Sequence, residues 1–290
     1  MALDFTNLQA WTDESGDLLP EAILSTETLS HIAVQTGIAA GTVSLNVFNA
    51  DFADAARACG WNPDGDITFD QVDVTVSDRQ IKQEMCVNTA RQYYLAQRMK
   101  PGSAGAEELP FEQVIADYYL TGVQKNIEDF IGTQIKTEIN STDANLQPGT
   151  PAALTVSNAI DQLNDLYDAL DPAIQMRDDV KIIMSPEAYR TAVRAFVAAD
   201  LMHYNFGQGE GDVFLPGTNA QLIKNSGLVG SDYRAAFSGQ NVVFATGLLD
   251  DMDKFNLFYD QAADNVKATV YYRRGLGVYD VAKQATNGLA

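Results

Sequence analysis

Two stretches of the chain alternate apolar and polar residues with the two-residue period of a β-strand that is buried on one face. They lie at residues 67–76 and 266–272. In the first stretch, Val72, Val74 and Val76 share one face. An isolated two-stranded hairpin is only marginally stable in water. If the first stretch belongs to a projecting hairpin, its apolar face therefore has to pack against a neighbour.

A chain reversal is predicted just before the first of these strands. Residues 61–66 read Trp-Asn-Pro-Asp-Gly-Asp, and Pro-Asp-Gly has the local chemistry of a turn. Strand-like pieces at 31–35 and 42–48 and a short helical piece at 52–59 precede the turn. Residues 1–30 are polar and rich in turn formers, which favours an extended arm laid over a neighbour.

The second alternating stretch is interrupted near the end of the chain. Its alternation stops at residues 273–277, Arg-Arg-Gly-Leu-Gly, and resumes with Val278, Tyr279 and Val281. A break in the strand is predicted at this point.

The strongest helix signal covers residues 111–139. Apolar residues recur there at helical spacing, and they are Phe111, Val114, Ile115, Tyr118, Tyr119, Val123, Ile127, Phe130, Ile131 and Ile135. At 1.5 Å per residue, such a helix is roughly 43 Å long. Gly122 and Gly132 lie inside it. Because glycine weakens a helix, they predict a bend or a close approach to a sheet.

Shorter elements follow a linker at residues 140–155, which contains proline and glycine. A helix capped by Ser157 or Asn158 is predicted first, with apolar positions at Ile160, Leu163, Leu166, Tyr167 and Leu170. A buried strand at 180–184 then leads into a helix capped by Ser185, whose inward residues are Tyr189, Val193, Phe196 and Val197. Short strands are predicted around 214, 222–223 and 242–244. The pattern is mixed α+β with two lobes and no repeat.

Composition excludes some partners. The chain of 290 residues has 19 basic and 39 acidic residues, which gives a net charge of −20. A chain this acidic has no general attraction for nucleic acid or for an anionic membrane. An acidic wall could still enclose DNA without binding it, although the charge is also explained by solubility alone. Residues 1–17 lack the basic start and the apolar run of a signal peptide, so none is expected, and no apolar run is long enough to predict a membrane helix. Cys59 and Cys86 are predicted to be reduced and buried.

Sequence patterns typical of enzymes are weak. The alternating oxygens of residues 62–70 are similar to a calcium loop, but the glycine is misplaced for an EF-hand and a hairpin turn is favoured. The glycines of 207–211 do not open a helix after a strand, and a flexible loop is favoured. His31 and His203 lack a Cys or Ser partner pattern. The acidic residues at 250–253 are better explained by a solvated turn. We predict no catalytic residue, no cofactor and no metal site.

The order of elements and three local phrases resemble a known family. The phrases are residues 66–72 (DITFDQV), 180–189 (VKIIMSPEAY) and 241–247 (NVVFATG). Together with the closing strands they are similar to the major capsid proteins of tailed phages, which have the Hong Kong 97 type fold. The resemblance covers roughly residues 30–285.

The resemblance implies an α+β capsid fold with an N-terminal arm, a projecting E-loop, a peripheral domain with a long spine helix, and an axial domain. The implied segments are 1–50 for the arm and first strands, 51–86 for the E-loop, 87–150 for the peripheral domain, 151–247 for the axial domain and 248–290 for the return strands. It also implies a virion location, with self-assembly into hexamers and pentamers around double-stranded DNA inside a bacterial host.

The implied partners are further copies of the chain, a portal protein and a separate scaffolding protein. A separate scaffold, or none, is expected because only about 30 residues precede the first strand. Some relatives weld subunits through an E-loop lysine. This chain has no lysine between Gly37 and Arg79, and Lys82 follows only at the hairpin base, so no such cross-link is predicted.

The residues expected at subunit interfaces are Trp11, Trp61, Phe69, Val72, Val74 and Val76. On this view Val74→Asp impairs assembly more than it impairs folding of the monomer. Two other readings stay open. One is an encapsulin-like compartment shell with the same fold, and the other is a cytoplasmic α+β enzyme or binding protein.

Overall fold

A computed structural model describes residues 18–50, 67–86, 111–140, 142–201, 212–247, 255–263 and 265–289. The helices are α1 Leu18–Leu24, α2 Phe111–Glu138, α3 Ala159–Asp168, α4 Pro172–Gln175 and α5 Pro186–Ala198. The strands are β1 Ala33–Gln35, β2 Gly41–Ala50, β3 Ile67–Cys86, β4 Asn145–Leu146, β5 Val180–Met184, β6 Gln221–Lys224, β7 Arg234–Ser238, β8 Val242–Ala245, β9 Phe255–Asp260, β10 Asn265–Val278 and β11 Ala285–Thr286. Among these helices none is long and apolar enough to cross a membrane.

The strands form two sheets. The first has the order β1-β8-β10-β3-β2, with β9 added on β10, and the second has the order β4-β11-β7-β5-β6. The predicted segment boundaries remain a proposal, but two strand pairings cross them. β8, from the implied axial segment, pairs with β10 in the first sheet, and β11, from the return segment, pairs with β7 in the second.

The long helix α2 lies where it was predicted, at 111–138. It packs against the first sheet through a row of fully buried residues at four-residue steps, and these are Val123, Ile127, Ile131, Ile135 and Ile139 just beyond its end. Tyr118 was placed on this stripe wrongly, because it is 64% exposed. Four-residue steps from Tyr118 lead to Gly122 and Asn126, which are also exposed, so Tyr119 takes the inward position.

The predicted break in the last strand is a change of partner within one continuous strand. β10 pairs with β3 up to Arg274 and with β8 from Gly275 onward. A Cβ atom on Gly277 would lie 2.3 Å from Cγ2 of Val74, and one on Gly275 would lie 2.8 Å from the backbone oxygen of Thr75. The two glycines therefore let the base of the β2–β3 hairpin cross directly over β10.

The second sheet lies between two apolar cores. Ile183, Ala235 and Phe237 face the core that contains α2. Residues of the same strands on the opposite face, including Ile182 and Ala236, face a core built with α3 and α5. The two lobes therefore share one sheet.

Several local predictions hold and others do not. Ser185 caps α5 as predicted, since its Oγ accepts a hydrogen bond from Ala188 N at 3.3 Å. The Asn158 side chain does not cap α3. It accepts a hydrogen bond from Thr155 N at 2.7 Å and so stabilises a turn before the helix. Val197 is 57% exposed because the inward face of α5 follows Ala192 and Phe196. Cys86 is exposed, contrary to prediction, at the end of β3.

Candidate functional site

The β2–β3 hairpin is a long two-stranded ribbon at one end of the first sheet. Its strands pair antiparallel over ten residues, from Gly41 opposite Val76 to Ala50 opposite Ile67. At about 3.4 Å per residue, the paired ribbon is roughly 30 Å long. β2 contains no charged residue and forms the end of its sheet among the described strands. Such an edge can accept a further strand unless something covers it.

The outer face of the hairpin is polar. The Ser44 hydroxyl donates to Oδ1 of Asp73, its cross-strand partner, at 2.5 Å. Gln71 Nε2 donates to Oδ1 of Asn46 at 2.9 Å. These contacts hold the register of the ribbon on the face that β10 does not cover.

The apolar face of the hairpin base is covered by the chain itself. Val74 and Val76 are only 1% and 2% exposed. They pack in a small core whose other members are Ile38, Leu45, Val243 and Ala245. The prediction that Val74 and Val76 contact a neighbouring subunit is therefore wrong, because the glycines of β10 bring these valines against their own sheet.

The other predicted interface residues have different positions. Phe69 lies far along the hairpin and is 75% exposed, whereas Val72 is half-buried between it and the base. Trp11 and Trp61 lie outside the described residues. The interface prediction therefore remains a proposal for the outer half of the hairpin.

A buried polar junction joins three distant segments behind the hairpin. Glu128 of α2 accepts from the backbone N of Thr28 at 2.8 Å and from Nδ2 of Asn225 at 2.8 Å. The Thr28 hydroxyl also donates to Glu128 Oε2. Asn225 Oδ1 in turn accepts from Gly227 N at 2.8 Å. One carboxylate thus ties the segment after α1, the long helix and the loop after β6.

Burial raises the pKa of Glu128 above its usual value, and the nearby carboxylates of Glu27 and Asp129 act in the same direction. The hydrogen bonds from Thr28 oppose this shift, because they stabilise the ionised form. A cleft of about 300 Å³ opens beside the junction, with Gln124, Pro186 and Lys224 among its lining residues. The Lys224 ammonium lies 3.5 Å from the Glu27 carboxylate there.

Close backbone packing surrounds the same junction. A Cβ atom on Gly227 would lie 2.4 Å from the backbone oxygen of Asp129, and one on Gly132 would lie 2.0 Å from Asn225 Oδ1. The Tyr233 hydroxyl donates to the backbone oxygen of Ile139 at 2.7 Å, which satisfies a carbonyl just past the end of α2. The close approach expected at Gly132 is found, against a loop of the second lobe.

No pattern in the amino-acid sequence indicates this junction. Glu128 stands within an ordinary amphipathic helix, and its partners Thr28 and Asn225 are about a hundred residues away on either side. Residues that meet only through the tertiary fold leave no spacing pattern in one sequence.

The described titratable groups form no arrangement typical of an active site. Burial and the charge of Lys181 lower the pKa of His31, which lies at the end of a 3₁₀ turn. In the described ranges no group of His, Cys, Asp or Glu residues could hold a metal ion. The possible calcium loop up to Asp66, the glycine loop, His203 and the acidic residues at 250–253 lie outside those ranges.

The fold is that of the major capsid proteins of tailed phages, the Hong Kong 97 type, which confirms the fold prediction. The structure is similar to the capsid of a native GTA particle, with a TM-score of 0.57, 15% identity, and coverage of 91% of this chain and 89% of that chain. It is also similar to the procapsid of satellite phage P4 that includes the size determination (Sid) protein, with a TM-score of 0.58, 11% identity, and coverage of 93% and 88%.

A third similar structure is a virus-like particle from Pyrococcus furiosus, with a TM-score of 0.51, 14% identity, and coverage of 95% of this chain and 98% of that chain. No protein-family model and no curated protein matches the chain. The three similar structures, at 11–15% sequence identity, therefore define the fold of this chain.

Proposed function

We propose that this protein is the shell-forming subunit of a phage head, assembling as hexamers and pentamers around double-stranded DNA. The observation that carries the proposal is the similarity to the capsid of a native GTA particle over 91% of the chain. The role is structural, and the chain works without a catalytic residue, a cofactor or a metal.

The hairpin supports this proposal physically. A ten-residue uncharged edge strand on a two-stranded ribbon is a liability for a free monomer. Burial of such an edge against a second copy removes that liability and stabilises the assembled state by mass action. Phe69, at 75% exposure, and the outer half of the hairpin are then subunit contacts.

The acidic charge of −20 supports enclosure of DNA without sequence-specific binding. An acidic wall repels phosphate, so packaged DNA stays free to move. A scaffolding protein and a portal protein complete the proposed set of partners, and no E-loop lysine cross-link forms between subunits.

Electron microscopy of the expressed protein, alone and with its scaffold, tests the proposal. We expect closed icosahedral shells, and from infected cells particles with nuclease-protected DNA. A monomer that never assembles under either condition and binds a metabolite would contradict it. A covalent ladder on a reduced, boiled gel of mature particles would contradict the absence of cross-links.

An encapsulin-like compartment is the second candidate function. The similarity to a virus-like particle from Pyrococcus furiosus, which covers 98% of that chain, supports this second candidate. Purified particles separate the two functions by their contents. Enclosed protein in place of nuclease-protected DNA would favour the compartment.

A further inference from the structure

Arg234 of β7 holds its charged group inside the protein, at one end of the second sheet. Its side chain is among the largest that are fully buried in the described residues. Nη2 donates to the backbone oxygen of Ala152 at 3.0 Å, but Nε and Nη1 have no hydrogen-bond partner in the described part of the chain. Because a buried ion is costly unless its donors and its charge are matched, this guanidinium needs a further group beside it.

No ion pair neutralises the Arg234 guanidinium within the ranges that the structure describes. Burial lowers the pKa of Arg234 to about 10, and the charge of Asp232, an exposed residue, opposes this shift. The guanidinium therefore stays ionised at neutral pH. A buried positive charge of this kind favours an anion as its partner.

Gln147 supplies a buried hydrogen-bond acceptor. Its side chain is 3% exposed, and Oε1 has no partner among the described residues. The orientation of this amide is fixed, because Nε2 donates to Oε1 of Gln162 at 3.0 Å and the same oxygen accepts from Ala152 N at 3.1 Å. Gln147 Oε1 therefore requires a proton donor.

The fold brings Arg234 and Gln147 to the same end of the second sheet. Gln147 N donates to the backbone oxygen of Thr286 at 2.9 Å, and the Thr286 hydroxyl donates to the backbone oxygen of Arg234 at 3.3 Å. One strand, β11, separates the two residues, so their backbones are roughly 10 Å apart. Both side chains also reach the linker at Ala152, Arg234 directly and Gln147 through Gln162.

We propose that one small oxyanion with a hydroxyl group, of the hydrogenphosphate type, binds between Arg234 and Gln147. Its anionic oxygens accept from the free donors of Arg234, and its hydroxyl donates to Oε1 of Gln147. Such an ion and its two flanking hydrogen bonds span about 8 Å, which suits side chains that approach each other from backbones on either side of β11. At neutral pH chloride and sulfate have no proton for Gln147, and water brings no charge to Arg234.

The ion fastens the linker at Ala152 over the end of the second sheet. Every contact lies within one copy of the chain, so the site does not depend on assembly or on the proposed shell function.

Urea unfolding of the full chain in sodium phosphate and in sodium sulfate, at neutral pH and equal ionic strength, tests the site. Both salts strengthen folding through exclusion from the protein surface, so the informative quantity is the excess effect of phosphate. We expect this excess to raise the folded-to-unfolded ratio about tenfold for each tenfold increase in phosphate above its dissociation constant. Isothermal titration of phosphate into the wild type should give one site per chain.

Arg234→Met should abolish the excess effect of phosphate, and the replacement of a buried charge by an apolar side chain is often tolerated. Arg194→Met, an exposed substitution on α5, is the matched control and should keep the excess. A wild type that responds equally to phosphate and sulfate would show that water alone lies beside Arg234, and the proposal would be wrong. An excess that persists in Arg234→Met would place the ion elsewhere and would also overturn it.

Gln147→Met separates the charge from the hydroxyl contact, and it decides the question if Arg234→Met does not fold. This variant keeps the guanidinium but removes the acceptor that requires a proton, so phosphate and sulfate should stabilise it equally. A Gln147→Met protein that still prefers phosphate to the same extent as the wild type would contradict the proposed site.

Discussion

At the scale of single residues, Glu128 shows how a partly buried carboxyl group is held by donors from distant segments of the chain. Three hydrogen bonds from Thr28 and Asn225 converge on its carboxylate. A buried carboxylate is tolerated only when such donors replace water. If the carboxylate is removed, these buried donors lose a hydrogen-bond acceptor. The free-energy cost of that loss is the main contribution of Glu128 to the stability of the junction.

Glu128→Ala is expected to lower the free energy of unfolding by about 3 kcal/mol, because it leaves the backbone N–H of Thr28 without its acceptor and removes one of the two acceptors of Asn225 Nδ2. Urea unfolding of the monomer measures this loss. Thr133→Ala, an exposed substitution on the same helix, is the control and should change stability by less than about 0.5 kcal/mol. Equal effects of the two substitutions would contradict the structural role of the junction.

The pH dependence of Glu128 has a definite sign. Its pKa is raised in the folded state, so folding favours the protonated form, and the contribution to stability is largest below the unfolded value of 4.5. That contribution is lost as the pH rises through the folded pKa. The free energy of unfolding of the wild type, minus that of Glu128→Gln, should therefore fall as the pH rises above about 4.5. A difference that rises with pH above 4.5 would show that the carboxylate is stabilised as an anion.

At the scale of elements, glycines decide how closely the long helix and the hairpin meet their neighbours. Gly132→Ala is expected to destabilise the monomer by about 2 kcal/mol, because the new methyl group would meet Asn225 Oδ1 at 2.0 Å. Gly122 is a matched control in the same helix, since nothing lies within 4 Å of a Cβ atom there. Gly122→Ala should stabilise by up to about 1 kcal/mol. Thermal unfolding of both variants checks the pair, and a stabilising Gly132→Ala would contradict the close packing.

Val74 belongs to the same scale, and its structure reverses the expectation from sequence. Because Val74 is buried against Gly277 and Val243, Val74→Asp should lower the free energy of unfolding of the monomer by about 3 kcal/mol or more. Thr75→Asp, on the exposed face of the same strand, should change monomer stability little. A stable Val74→Asp monomer that fails only to assemble would restore the original interface assignment.

Periodicity predicted the elements well and their surroundings less well. The ends of α2 were predicted within a residue, and the alternation of Val72, Val74 and Val76 gave the correct buried face. Periodicity states that a face is buried but not which chain covers it. The cover of Val74 and Val76 depends on Gly275 and Gly277, which lie about two hundred residues further along the chain. The sequence pattern predicted a strand break at these two glycines.

At the scale of the whole molecule, the same limit applies to the lobes. The alternation of helices and strands after residue 155 predicted a second lobe. This alternation could not show that both faces of the second sheet are buried. One face packs against α3 and α5 of the same lobe, but the other packs against α2 of the first lobe. The junction at Glu128 was missed for the same reason, since its three segments meet only in the folded chain.

The shared sheet predicts that the lobes unfold together. Residues of β5 and β7 contribute to both cores, so neither core persists once the other is lost. Calorimetry of the monomer should give one transition whose calorimetric and van't Hoff enthalpies agree. Phe196→Ala in the α5 core and Ile127→Ala in the α2 core are matched probes, since both residues are fully buried. Each should lower the stability of this single transition by about 2–5 kcal/mol. Two resolved transitions, each shifted by only one of the substitutions, would show instead that the lobes are independent domains and that the sheet belongs to one of them.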